Sequence, residues 1–173
     1  MAFLLETITT TDYTALTKII SEFKTSSNTN SMCYEGAISE KLEDNLLQNI
    51  IKRASQKQTR IHILYDVANN SKIPSGLIAL NFEVVGEFSA LSVDLLFVSL
   101  PYRNKYFKEI DTKISLYLLQ FSLHEAINMN SISKLDAVLL TPINECVKQI
   151  YLDFGFEEMT DDWLYFSIDR LLR

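Results

Sequence analysis

NECVKQIYLDFGF, residues 144–156, is the stretch whose reading decides the fold. Thr141-Pro142-Ile143-Asn144 is how a helix commonly begins, with Asn144 as its cap. Val147, Ile150, Tyr151 and Phe154 recur at helical spacing and make one apolar stripe. Gly155 supplies the left-handed stop that such a helix needs. Phe156 then leads towards a hydrophobic strand within Trp163–Ile168. These residues predict a capped amphipathic helix feeding a strand.

Working outward, Leu135–Thr141 reads as a strand, preceded by a long helix over about Ile110–Met129 with Ile114, Leu118, Phe121 and Leu123 among its apolar positions. Phe88–Val98 is a β-prone run, joined through Gly86-Glu87 to a strand over Ser75–Val85. A turn over Ala68–Pro74 separates that strand from another at Arg60–Val67. Before it, Ser39 caps a helix to Ala54, with Leu42, Leu46, Ile50 and Ile51 as the buried stripe. Lys24–Ser31 is a polar loop. Thr11-Asp12 caps a helix over Tyr13–Phe23, and Phe3–Thr9 is a first strand. The order is β-α-α-β-β-β-α-β-α-β, without repeats or a linker. It predicts an α/β (mixed α+β) fold, with one mixed, mostly antiparallel sheet flanked by helices, as a single domain over residues 1–173.

The order Asn144, six residues, Tyr151, three residues, Gly155-Phe156 resembles the C-terminal motif of the GNAT superfamily of N-acyltransferases, and the element order is similar to the GNAT layout. That resemblance implies that Asn144 holds the pantetheine arm of acetyl-CoA. It implies that the Tyr151 hydroxyl stands near the thioester sulfur as general acid, a role its ordinary pKa of about 10 suits. Plain aromatic packing is the alternative for Tyr151, and capping alone for Asn144. The resemblance also makes Leu96, Phe97 and Val98 the end of a splayed strand whose free backbone pairs with the cofactor.

The pyrophosphate loop then falls on Arg103, Asn104, Lys105, Tyr106, Phe107 and Lys108. The family pattern is Arg or Gln, two residues, Gly, any residue, and Gly or Ala. Arg103 matches, but Tyr106 and Lys108 stand where small residues let backbone N–H groups approach the phosphates. Lys105, Lys108 and Lys113 offer a solution by charge instead. Residues 108–113 also intervene before ISLYLLQF, so either the helix is longer than usual or a loop is inserted.

Direct transfer to an ammonium nucleophile needs a base. Asp94 is the first candidate: four residues before Val98, it shares that residue's face of an unbroken strand. Glu83 on the preceding strand is the second. A solvent-facing or ion-paired carboxylate is the alternative for each. Cys146 has no His near it in sequence to make it a nucleophile, and Cys33, Cys146, His62 and His124 lack metal-ligand spacing, so no metal is expected.

A net charge of −6 and pI near 4.9 argue against nucleic acid as a partner. No apolar run is long enough for a membrane span, no basic segment precedes the short apolar N-terminus, and the two cysteines suit a reducing cytoplasm. The resemblance implies transfer of an acetyl group from acetyl-CoA to an amine on a small molecule or protein. A GNAT-fold module that only binds is the alternative, and a toxin or effector acetylating a macromolecule is a third reading. Tyr34 and Glu35 are candidate acceptor-cleft residues by position. An exposed hydrophobic C-terminal strand would allow a homodimer.

Overall fold

RIHILYDV and FSALSVDLLFV, two β-prone runs, form two of the long strands of the main sheet, on either side of a third. The computed structural model describes residues 2–25, 40–68, 71–160 and 162–173. Along them run β1 (Ala2–Thr7), α1 (Tyr13–Ile20), α2 (Glu40–Ser55), β2 (Arg60–Ala68), β3 (Ser71–Val85) and β4 (Phe88–Val98). Then come a small hairpin, β5 (Tyr106–Phe107) and β6 (Thr112–Lys113), followed by α3 (Ile114–Asn130), β7 (Ala137–Leu140) and α4 (Glu145–Phe154). β8 (Glu157–Glu158), β9 (Leu164–Ser167) and α5 (Ile168–Leu171) close the chain.

The main sheet has seven strands in the order β1-β2-β3-β4-β7-β9-β8. Every neighbouring pair is antiparallel except β4 and β7. Strand alternation sends Ile61, Ile63, Leu77, Leu95 and Phe97 to one face, where α1 and α2 cover them with Leu16, Ile20, Leu47 and Ile51. Leu64, Ile78, Leu91 and Val93 go to the other face, against α3, α4 and α5. Burying each large side chain of this kind contributes about 1.5–3 kcal/mol.

Gly76 fixes how closely α3 sits on the sheet. A Cβ at that position would lie 2.6 Å from Ile114 and 2.9 Å from Leu118, so the helix packs on bare backbone. Gly76→Ala is therefore expected to lower the urea midpoint, at a cost of about 1–3 kcal/mol for overpacking. An unchanged midpoint would mean that α3 shifts freely.

Several expectations need correction. The strand placed at Ser75 begins at Ser71, because Ser75 is the extra residue of a bulge: Leu64 pairs with Gly76 and Tyr65 with Pro74. Its hydroxyl donates to the Leu64 carbonyl at 2.7 Å, and Pro74 is tolerated at that irregularity. The stripe of α2 is rotated: Leu42 is 36% exposed, while Leu47 and the carboxylate Glu43 are buried. Ile150 is exposed rather than part of the buried stripe of α4. The C-terminal strand is not an exposed edge, since β9 lies between β7 and β8 and buries Leu164 and Phe166. That removes the argument from which a homodimer was expected. Ser39, Cys33, Tyr34, Glu35 and the polar loop beyond Thr25 lie outside the described residues.

Candidate active site

β4 and β7 pair only from Ala90 to Val93, against Ala137 to Leu140. Beyond that point β4 continues to Val98, whereas the other chain segment turns away at Thr141-Pro142 to start α4. The sheet therefore opens between the two strands. Ser99 N–H donates to the Ser75 carbonyl at 2.9 Å, so strand alternation turns the backbone groups of Leu96 and Val98 towards the opening. Phe97 instead points into the core beneath α1 and α2, edge-on to Phe23 at 5.8 Å.

A second bulge sits at the closed end of this opening. Ala79 pairs with Leu95 and Leu80 with Val93, which leaves Asp94 as the extra residue of β4. The strict alternation assumed between Asp94 and Val98 is thereby broken, and their side chains lie on opposite faces. Asp94 reaches α2, where Arg53 Nη2 donates to it at 2.9 Å, while Val98 packs with the α3 side. Burial pushes the Asp94 carboxyl above its ordinary pKa, against the opposing hydrogen bond from Thr59, the Arg53 charge and the hydrogen bond from Ser92. Glu83 pairs with Ala90 near the β3–β4 hairpin, at the far end of β4 from the opening. The antiparallel register thus separates the two candidate bases, and only Asp94 borders the opening.

α4 descends from the mouth. Asn144 is extended (φ −158°) and its Oδ1 accepts from Val147 N–H at 2.9 Å, so it caps as expected. Gly155 is left-handed (φ 119°), and its N–H and that of Phe156 both donate to the Tyr151 carbonyl. Tyr151 lies roughly 10 Å along the helix from Asn144 at 1.5 Å per residue. Tyr151 is half-buried on the α3 side, with its ring 6.0 Å from that of Phe156. Tyr151 and Asp94 thus belong to opposite faces of the sheet.

The loop after β4 departs from the expected phosphate cradle. Arg103 turns inward: its Nε donates to the Val98 carbonyl and its Nη1 to Glu43 of α2, each at 2.8 Å. Its guanidinium stands 5.1 Å from the Phe97 ring. Asn104 is left-handed (φ 57°), and the β5–β6 hairpin follows. The extra residues are therefore an inserted loop and not a longer helix. Ile110 precedes Ile114 by one helical repeat and so continues the apolar spacing, yet Asp111 takes φ 52° and breaks the helix. Phe107 packs against Phe3 at 5.2 Å, and Tyr106 is exposed, with its hydroxyl donating to Asp111. Tyr102 donates to Asp66 at 2.9 Å; burial first, then that carboxylate, pushes its pKa up to about 12.

α3 starts at Ile114 with no side-chain cap and no acidic residue in its first turn. Its terminal N–H groups are thus left without the side-chain partners that such groups commonly find, an arrangement suited to an anion. Lys105, Lys108 and Lys113 are exposed nearby, and none has a carboxylate partner among the described residues. No three His, Cys, Asp or Glu side chains gather as a metal site among the described residues, and no described helix is long and apolar enough to cross a membrane.

No family model matches the chain, and no curated protein matches it in sequence. Solved structures do match. AtaTR bound with acetyl-CoA superposes with a TM-score of 0.69 at 11% identity, over 99% of this chain and 96% of that one. The KacTA–DNA complex gives 0.68 at 13% identity, over 98% and 96%. AtaT complexed with acetyl-methionyl-tRNAfMet gives 0.68 at 13% identity, over 98% and 97%. Proteins with this architecture therefore occur with DNA and tRNA, which overturns the argument from net charge against nucleic acid. Net charge sums over the whole surface, whereas phosphate contact depends on local cations. In its order of elements, its sheet and its opened β4–β7 edge, the protein has the GNAT fold.

Proposed function

We propose that the protein is an acyltransferase that moves an acetyl group from acetyl-CoA to an amine by direct attack. The observation that carries this reading is the opened β4 edge, with the uncapped start of α3 at its mouth and Asp94 where the β4–β7 pairing stops. Leu96 and Val98 offer backbone groups to a pantetheine arm, and Asn144 stands at the mouth. The α3 terminus and Lys105, Lys108 and Lys113 suit the phosphates. Acetyl-CoA supplies the activated acyl group. Asp94 takes a proton from the acceptor ammonium, and Tyr151 gives one to the departing thiolate. Holding both reactants in one cleft lowers the entropic part of the barrier.

The acceptor is the finer question. An amine carried by RNA, as in a charged tRNA, is favoured by the likeness to AtaT complexed with acetyl-methionyl-tRNAfMet and by the exposed Lys105, Lys108 and Lys113 beside the mouth, which have no carboxylate partner among the described residues. A small amine is the other class. Calorimetry or thermal shift with acetyl-CoA tests the common step, since ligand at about 100 times its Kd should stabilise the fold by roughly 2.7 kcal/mol. No effect at millimolar acetyl-CoA would overturn the proposal. Binding without CoA release, offered charged tRNA and small amines alike, would leave a GNAT-fold binding module.

A further inference from the structure

A cavity of about 680 Å³ lies at the opposite end of the sheet from the β4–β7 opening. It sits where β1 ends, where β2 begins and beside the C-terminal half of α3, and Leu80, Asn81 and Leu91 mark its level on β3 and β4. The volume is that of a site for a small metabolite. Its charged lining is Lys57, Arg60 and Glu125, a net positive site in a chain of net charge −6. Neither Lys57 nor Arg60 has a carboxylate partner among the described residues. Hydroxyl and amide groups of Thr9, Gln58 and Asn81 complete the polar wall.

Two further observations point to a ligand. Lys57 follows the end of α2 in the left-handed region (φ 60°), with its N–H donating to the Ala54 carbonyl and that of Gln58 to the Arg53 carbonyl. Glycine is the usual residue for that geometry, and a side chain there is strained. The chain nevertheless places a cation without a carboxylate partner among the described residues at this position, on the cavity wall. His62 also lines the cavity and is 4% exposed. Its Nδ1 is hydrogen-bonded to Thr7 Oγ1 at 2.9 Å, and its other ring nitrogen has no partner among the described residues. Burial, and then the Arg60 charge, lower its pKa to about 4, so at neutral pH the ring is uncharged and able to serve as a hydrogen-bond partner.

We infer that this cavity binds a small organic oxyanion, a carboxylate or phosphate group on a hydrogen-bonding body, held by Lys57 and Arg60 beside His62. Glu125 on α3 faces the same space and sets a limit, because a polyanion would be repelled by it. Lys57, Arg60, His62 and Glu125 do not border the β4–β7 opening, and the link to it is Thr59, which lines the cavity and hydrogen-bonds Asp94.

The two histidines provide a direct assay. Ring resonances of His62 and the exposed His124 are followed by NMR over pH with inorganic phosphate, acetate or glutamate, at constant ionic strength set by chloride. An anion beside Arg60 should raise the His62 midpoint from about 4 while His124 stays put. Arg60→Met should raise the midpoint by itself and abolish the anion dependence. Lys57→Gly should weaken the dependence severalfold without lowering the melting temperature, since glycine fits the left-handed position. Response to phosphate alone, or to the carboxylates alone, would identify which oxyanion the site prefers. A His62 midpoint unmoved by all three probes would overturn the inference, as would a response that survives in the Lys57→Gly, Arg60→Met double variant. If acid unfolds the chain first, calorimetry at neutral pH with the same probes and variants decides the matter, and absence of binding refutes the site.

Discussion

Tyr151→Phe is expected to leave acetyl-CoA affinity nearly unchanged and to lower turnover by about 10²–10⁴-fold, the range for loss of a general acid. The ring would keep its place beside Phe156 and the α3-side core, so only the hydroxyl is removed. Single-turnover acetyl transfer, with chemistry shown to be the slow step, is the measurement. Unchanged turnover would reduce Tyr151 to a packing residue. Asp94 supplies the companion test. Burial raises its carboxyl pKa, so activity should fall with decreasing pH at a point above the ordinary carboxylate range. Asp94→Asn should abolish that limb along with most of the rate. A retained limb would assign it to another group.

The parts of the fold that the sequence made legible are those set by neighbours in the chain. Asn144 and Gly155 bound α4 through contacts reaching only three or four residues, and Asp12 caps α1 in the same way. The long strands and their order followed from alternation and turn residues. What escaped depends on partners far away in sequence. No glycine or proline marks the bulge at Asp94; it arises in the register between β3 and β4, and it moves a candidate base to the opposite face from the one parity predicts. The burial of Glu43 within α2 has no local signal either, because its partner Arg103 is 60 positions away. The β5–β6 hairpin was hidden by Ile110, which continues the helical spacing of α3 into a segment that does not form helix. Tyr106 therefore lies on an exposed strand, not in a blocked phosphate loop, and its replacement by glycine would loosen the hairpin without building a cradle.

Arg103 is where fold stability and cofactor binding compete, and Arg103→Met is expected to separate them. The guanidinium and the Glu43 carboxylate have side-chain exposures of 20% and 7%. Removing one partner of a buried pair costs about 3–5 kcal/mol, because the other charge stays desolvated. Met also removes the guanidinium's contact with the Phe97 ring and its hydrogen bond to the Val98 carbonyl, so the loss reports on these together with the ion pair. Glu43→Gln in the same background should restore most of the stability, since replacing both charges is often close to neutral. Urea unfolding checks both steps, and a single-variant loss below about 1 kcal/mol would show that the Glu43 carboxylate stays compensated without Arg103. The folded double variant then addresses the site. Arg103 Nε holds the Val98 carbonyl, one of the backbone groups turned towards the opening. If a pantetheine amide must compete for that carbonyl, acetyl-CoA should bind the double variant more tightly than the natural chain. Weaker binding, with a shallower dependence on salt, would instead show that the guanidinium leaves Glu43 to meet the phosphates, since a lost cation–phosphate contact removes a screened interaction.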